Sequence, residues 1–216
     1  MTALLRYQAA LMIRAHRWVG PLLLYATLLT FMGDSQPLRF GLGWSAAMLL
    51  PSAAWLTRSA LTAEPAAARA CAAVAGGPHR THLAALVTAF AGGALLALAG
   101  AGYELARCPQ PGGLGTHLSV LAGGLATAAV CLLVGSAVGT LCNPPLVRHP
   151  AVALLATIGT AVFALVADVS PANAALRGSG GLPSGPAWLT GLPLLVAIAL
   201  AGGSWLVSTV LAGRRG

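Results

Sequence analysis

Two carboxylates, Glu104 and Asp168, are the side chains of this sequence best placed to do chemistry, because each closes a long apolar segment. A charged group inside a membrane segment is costly and is a functional candidate by default. With Tyr25, they form a candidate set for a transport pathway or an outer gate. Both acids also lie near enough to a segment end to reach the headgroups and pair with Arg107 or Arg177, and their depth favours that plainer role. Thr27, Thr127, Ser136, Thr157 and Thr160 are weaker candidates, since each can bond a carbonyl of its own helix.

Residue type excludes most other chemistry. All twelve basic residues are arginine, and a Walker-A phosphate loop needs its lysine, so the chain is not itself a P-loop ATPase. Those arginines are scattered along segment edges rather than gathered on one face, which argues against nucleic acid as a partner. Cys71, Cys108, Cys131 and Cys142 show no CxxC spacing and read as isolated thiols. His16, His79, His82, His117 and His149 fall at segment ends or in loops, whereas a membrane haem subunit needs paired histidines at matching depth. No catalytic, cofactor or metal site is expected in this chain.

The elements that must position these residues follow from composition. The 216 residues are 57% hydrophobic and 7% charged, against roughly 25% charged in a soluble domain; mean hydropathy is +0.83. Lipid must be the main solvent. Apolar runs of helical length recur and alternating strand patterns do not, so the fold class is all-α, a polytopic membrane protein. Six transmembrane helices are expected, at 17–33, 42–61, 83–105, 118–141, 150–169 and 187–211, with Pro171 stopping the fifth. They form one transmembrane domain, 1–216. The start does not read as a removable signal peptide, because arginines run far into it and no small-residue cleavage site follows a short apolar core.

Arginine bias orients the chain. With both termini cytoplasmic, the inner set is Arg6, Arg14, Arg17, Arg58, Arg69, Arg80, Arg148, Arg214 and Arg215, against Arg39, Arg107 and Arg177 outside. Trp18, Trp44, Tyr103 and Trp188 fall near span ends, as interfacial aromatics should, while Trp55 and Trp205 lie deeper and read as packing residues. Gly135 and Gly139 make a GxxxG, echoed by Gly93, Ala97 and Gly100, and read as internal packing. The glycine-rich outer connection after Pro171 is expected to be irregular, with one helical turn near Ala172–Leu176.

Two shorter elements belong to the inner face. Residues 3–17 set Leu4, Leu5, Leu11, Met12 and Ala15 against Arg6, Arg14 and Arg17, which favours a helix lying along the membrane surface over a first span that starts early with a ragged basic edge. Residues 64–76 open with Glu64 and Pro65 and close on Gly-Gly-Pro, a short capped helix of small residues. At about 1.5 Å per residue it is too short to span a bilayer. It serves either as a spacer or as a docking surface on which a protein backbone can approach closely.

The phrases LLRYQAALMIRAHRWVGPLLLY and LTAEPAAARACAAVAGGPHRTHLAAL, with six spans and minimal loops, resemble the permease subunits of type-two ABC exporters. The likeness is to the short six-span actinobacterial kind that exports drugs and peptides. It implies that 3–17 is an elbow helix carrying Arg6, Arg14 and Arg17. It implies too that 64–76 is a coupling helix docking on a separate ATP-binding subunit through Glu64, Pro65, Ala66, Ala67, Arg69, Ala70 and Ala73. NPPLVRHP, with Asn143, Arg148 and His149, would be the second inner loop. Further implications are a second permease chain (a copy or a paralogue), ATP and Mg2+ held on the partner ATPase, a plasma-membrane location among lipids, and export of an amphipathic drug, antibiotic, peptide or lipid. The competing expectation is a small carrier or immunity protein that needs no ATPase.

Overall fold

The computed structural model describes residues 1–31, 36–108, 113–144, 146–147, 149–179 and 187–215. Among them every regular element is helical: α1 (Thr2–Arg14), α2 (Val19–Thr30), α3 (Leu38–Leu61), α4 (Ala66–Gly76), α5 (Pro78–Arg107), α6 (Leu114–Leu141), α7 (Pro150–Val166), α8 (Pro171–Ser179) and α9 (Ala187–Arg215).

Helices α5, α6 and the Gly191–Gly213 part of α9 are long and apolar enough to cross a membrane, and the bent pair α7–α8 makes a fourth if taken as one span. Their outer faces show apolar side chains such as Leu95, Leu98, Leu155, Phe163, Leu195 and Leu206. A soluble monomer rarely exposes so much apolar surface. This is a multi-pass helical membrane protein.

α3 forms the centre of the bundle. Leu49, Leu50, Ser52 and Ala54 are completely enclosed, and α5 and α6 pack along its length. Its arginines, Arg39 and Arg58, stand near its two ends. Glycines let α6 approach it. A Cβ at Gly135 would stand 2.5 Å from the Leu50 carbonyl oxygen, and one at Gly139 would stand 2.6 Å from that of Ala54. The GxxxG is therefore an internal packing motif.

Contacts along the rods fix their directions. Gly20 lies under Trp55 while the Trp44 indole donates to the Leu28 carbonyl at 3.0 Å, so α2 runs opposite to α3. Asn143, just past α6, donates to Thr157 of α7 at 3.2 Å. His79 and Phe90 of α5 meet Thr209 and Trp205 of α9. α2, α3, α5, α6, α7 and α9 thus alternate in direction, and α1 and α4 lie at one common end.

Two expectations change in detail. The expected first span, 17–33, contains α2 of only 12 residues, about 18 Å and short of a full crossing. It is cut from α1 by a turn in which His16 adopts φ 52°, and its expected last residues lie outside the described set. Nor does Pro171 stop α7, which ends at Val166; the proline opens α8, bent 41° from α7. A first-turn proline loses no helical bond. Asn173 donates to the carbonyls of Leu165 and Val166 at 2.8 and 3.0 Å, satisfying the end of α7. One expected turn becomes a nine-residue helix, with Ala172 wholly buried. The glycine-rich stretch after it, 180–186, lies outside the described residues.

Candidate functional site

Two places gather the polar residues singled out by sequence. The first is the end of the bundle that holds α1 and α4. α4 is independent of its neighbours in sequence: Thr62–Pro65 separates it from α3, and Gly77 alone separates it from α5. Gly77 has φ +83° with nothing near a would-be Cβ, so its glycine serves conformation rather than space. Pro78 then opens α5, and Thr81 donates to the carbonyls of Gly77 at 3.0 Å and Ala72 at 3.3 Å, fastening the end of α4 to α5.

Glu64 faces inward. It is buried, and its Oε1 accepts from the Tyr7 hydroxyl at 2.9 Å, with a longer bond from Gln8 Nε2 to Oε2 at 3.5 Å. The Tyr7 hydroxyl donates to an acid, which pushes its pKa above the usual phenol range. Ten residues along the chain, Arg17 Nη1 donates to the Thr62 carbonyl at 2.9 Å and hydroxyl at 3.2 Å. Leu4 covers Gly76, where a Cβ would stand 3.1 Å from Leu4 Cδ1. Leu4, Gln8 and Met12, one turn apart, thus face the bundle, while Arg6, Arg14 and Arg17 stay exposed. The inward stripe of α1 is turned to protein.

The outward side of α4 is bare. Val74 is 90% exposed, and Pro65, Ala67, Cys71 and Ala75 are exposed with it. The side chains of Ala66, Arg69, Ala70 and Ala73 lie outside the described set, as does Arg148. Of the residues expected to meet a partner, Pro65 and Ala67 are exposed, whereas Glu64 is buried and anchors the helix.

From this end α5 is joined to α9. His79 Nδ1 lies 2.8 Å from the Thr209 carbonyl oxygen and its ring packs on Gly213, while His82 Nε2 meets Ser208 Oγ at 3.1 Å. Sequence reading placed these histidines at segment ends but gave them no partner. Tyr7, Gln8 and Thr62 were missed as well. The one available signal was Gln8, a polar residue midway between Leu4 and Met12 on what should be an apolar stripe.

The second place is the opposite end. Tyr25 is buried and rests on Gly100, one turn before Glu104, beside Ser45. Glu104 is 2% exposed and does not reach outward; Arg107 instead donates to the Tyr103 hydroxyl at 2.6 Å and lies over that ring. Asp168 does what the plainer expectation required: it ion-pairs with Arg177, and both are well exposed. Of the pathway candidates, Tyr25 and Glu104 come together and Asp168 stands apart. Thr127, Ser136 and Thr157 each bond a carbonyl of their own helix. Among the described residues no cluster of His, Cys, Asp or Glu could hold a metal ion.

Comparison with protein-family models, with curated proteins and with solved structures yields no match to this chain.

Proposed function

We propose that the chain is the permease subunit of an ATP-driven exporter of the type-two ABC kind. α4 is the lever on which a separate ATP-binding subunit acts. One observation carries the reading: a short helix of small residues stands outside the bundle with Val74 almost fully exposed, yet is fastened to the bundle at both ends. A spacer needs no such fastening. A lever does, because a push on α4 then reaches α1 through Glu64, α5 through Thr81, and α9 through His79 and His82.

In this reading all six alternating rods cross the plasma membrane, and α2 completes its crossing with the residues that flank it. The end holding α1 and α4 is cytoplasmic, as the arginine bias favours, and α1 is the elbow. The chain has no motor, so ATP and Mg2+ are bound by the partner. ATP shifts the bundle between inward- and outward-facing packings only through its different affinity for the two states. A second permease chain completes the pathway, and the cargo is an amphipathic drug, antibiotic, peptide or lipid. α8 packs across the ends of α6, α7 and α9, where it would restrict outer access.

The test is co-purification. A tagged chain, gently extracted, is expected to retain a P-loop ATPase, and Val74→Glu is expected to release it while helical content stays unchanged. Full retention by Val74→Glu would remove α4 as the docking surface. An ATPase-independent carrier is the second reading, favoured by the enclosed carboxyl of Glu104, which docking does not use.

A further inference from the structure

Glu104 lies in the last turn of α5, enclosed on every side. Cys108, one turn on, donates its thiol proton to Oε2 at 3.3 Å. Gly41 of α3 lies against the same oxygen, and a Cβ there would stand 2.5 Å from it. α3 also contributes Leu38 and Leu42, and α6 contributes Val120, Leu121 and Leu125 to the same apolar cluster. The other oxygen, Oε1, is buried and has no hydrogen-bond partner.

No cation answers this carboxyl among the described residues. The Cys108 thiol touches it, and the Tyr25 phenol of α2 lies within electrostatic reach. Arg39 is exposed at the start of α3, His117 is half-buried in the first turn of α6, and Arg107 is engaged with Tyr103. The connections before α3 and after α5 that lie outside the described residues read MGDS and PQPG and contain no base. An ionised group held this way would be an uncompensated charge in apolar surroundings. A neutral acid lacking one hydrogen bond is far less costly. Oε1 is covered completely, so no occupant larger than a proton fits against it.

We propose that Glu104 is a proton-binding site. The carboxyl keeps its proton while α3 packs on α5. When the outer ends of α2, α3 and α5 part, water enters, the O–H bond breaks, the electron pair stays on the carboxylate and the proton passes to water. The inference goes beyond ATPase docking and holds for a permease or a carrier alike.

The chain contains two glutamates, Glu64 and Glu104. Glutamate carrying 13C in the side-chain carboxyl therefore gives two acid signals from the full chain in lipid bilayers, and Glu104→Gln assigns them. At neutral pH the Glu104 signal is expected at the position of a neutral acid; a carboxylate position overturns the proposal. Gly41→Ala is expected to displace the carboxyl, admit water and move that signal toward the carboxylate. A Glu104 signal that stays neutral in Gly41→Ala would sever the proton from the packing of α3 on α5. ATPase docking enters neither readout, so failure here and failure of the exporter reading are separate results.

Discussion

The Tyr7 hydroxyl and the Glu64 carboxylate, 57 residues apart in sequence, meet at 2.9 Å and pin the first helix to the root of α4. This bond makes α1 and α4 one mechanical unit, since Arg17 holds Thr62 on the same connection.

Tyr7→Phe should loosen α1 while leaving the spans intact. The bond is partly exposed, so its loss is expected to cost about 0.5–1 kcal/mol, read as a few-fold faster amide exchange in α1. Exchange unchanged across α1 would mean the bond holds nothing.

The same pair gives a pH dependence. The folded-state pKa of Tyr7 lies above its ordinary 10.0, so the stability it contributes is complete below that value. It is lost as pH rises through the folded value and the phenol ionises beside Glu64. α1 should therefore lose protection at strongly alkaline pH, and Tyr7→Phe should abolish that step. A step of equal size in Tyr7→Phe would assign it to another group.

Gly135→Ala tests the seam between α3 and α6. Its Cβ would meet the Leu50 carbonyl at 2.5 Å and the Ala53 methyl at 3.0 Å, and backbone cannot step aside. Overpacking of this kind costs about 1–3 kcal/mol. Gly123, on the same helix, has nothing within 4 Å, so Gly123→Ala should be neutral or stabilise by roughly 0.5–1 kcal/mol. Thermal unfolding in detergent separates the two; equal midpoints would contradict the packing.

Gly77→Ala isolates backbone strain. No atom would clash, but φ +83° is unfavourable for any side chain, costing about 1–3 kcal/mol. The expected result is a destabilised α4–α5 corner, seen as faster proteolysis between residues 62 and 80, with the spans unaffected. A cleavage rate equal to that of the unsubstituted chain would show the corner tolerates a side chain.

Much of the architecture was legible because membrane helices announce themselves through long apolar runs, and capped helices through their end residues. Residues 64–76 carried proline, glycines and small side chains in order, and α4 lies within a residue or two of that range. Long-range pairing was not legible. Nothing local in Glu64 says that its partner is Tyr7 and not solvent, and nothing in Glu104 says that α3 closes over it at Gly41. Pro171 was misread because a proline that forbids continuing one helix is equally suited to starting the next. The pairing of Asp168 with Arg177 was legible as one of two arginines within reach, the partner lying nine residues on in sequence.

The central claim is that α4 meets a protein that drives the bundle. The most direct measurement places a photo-crosslinking side chain at position 74 and irradiates intact cells. The account predicts a single heavy adduct containing a P-loop ATPase, lost when Gly77→Ala displaces the helix. Adducts with lipid alone, or with other residues of the same chain, would contradict it.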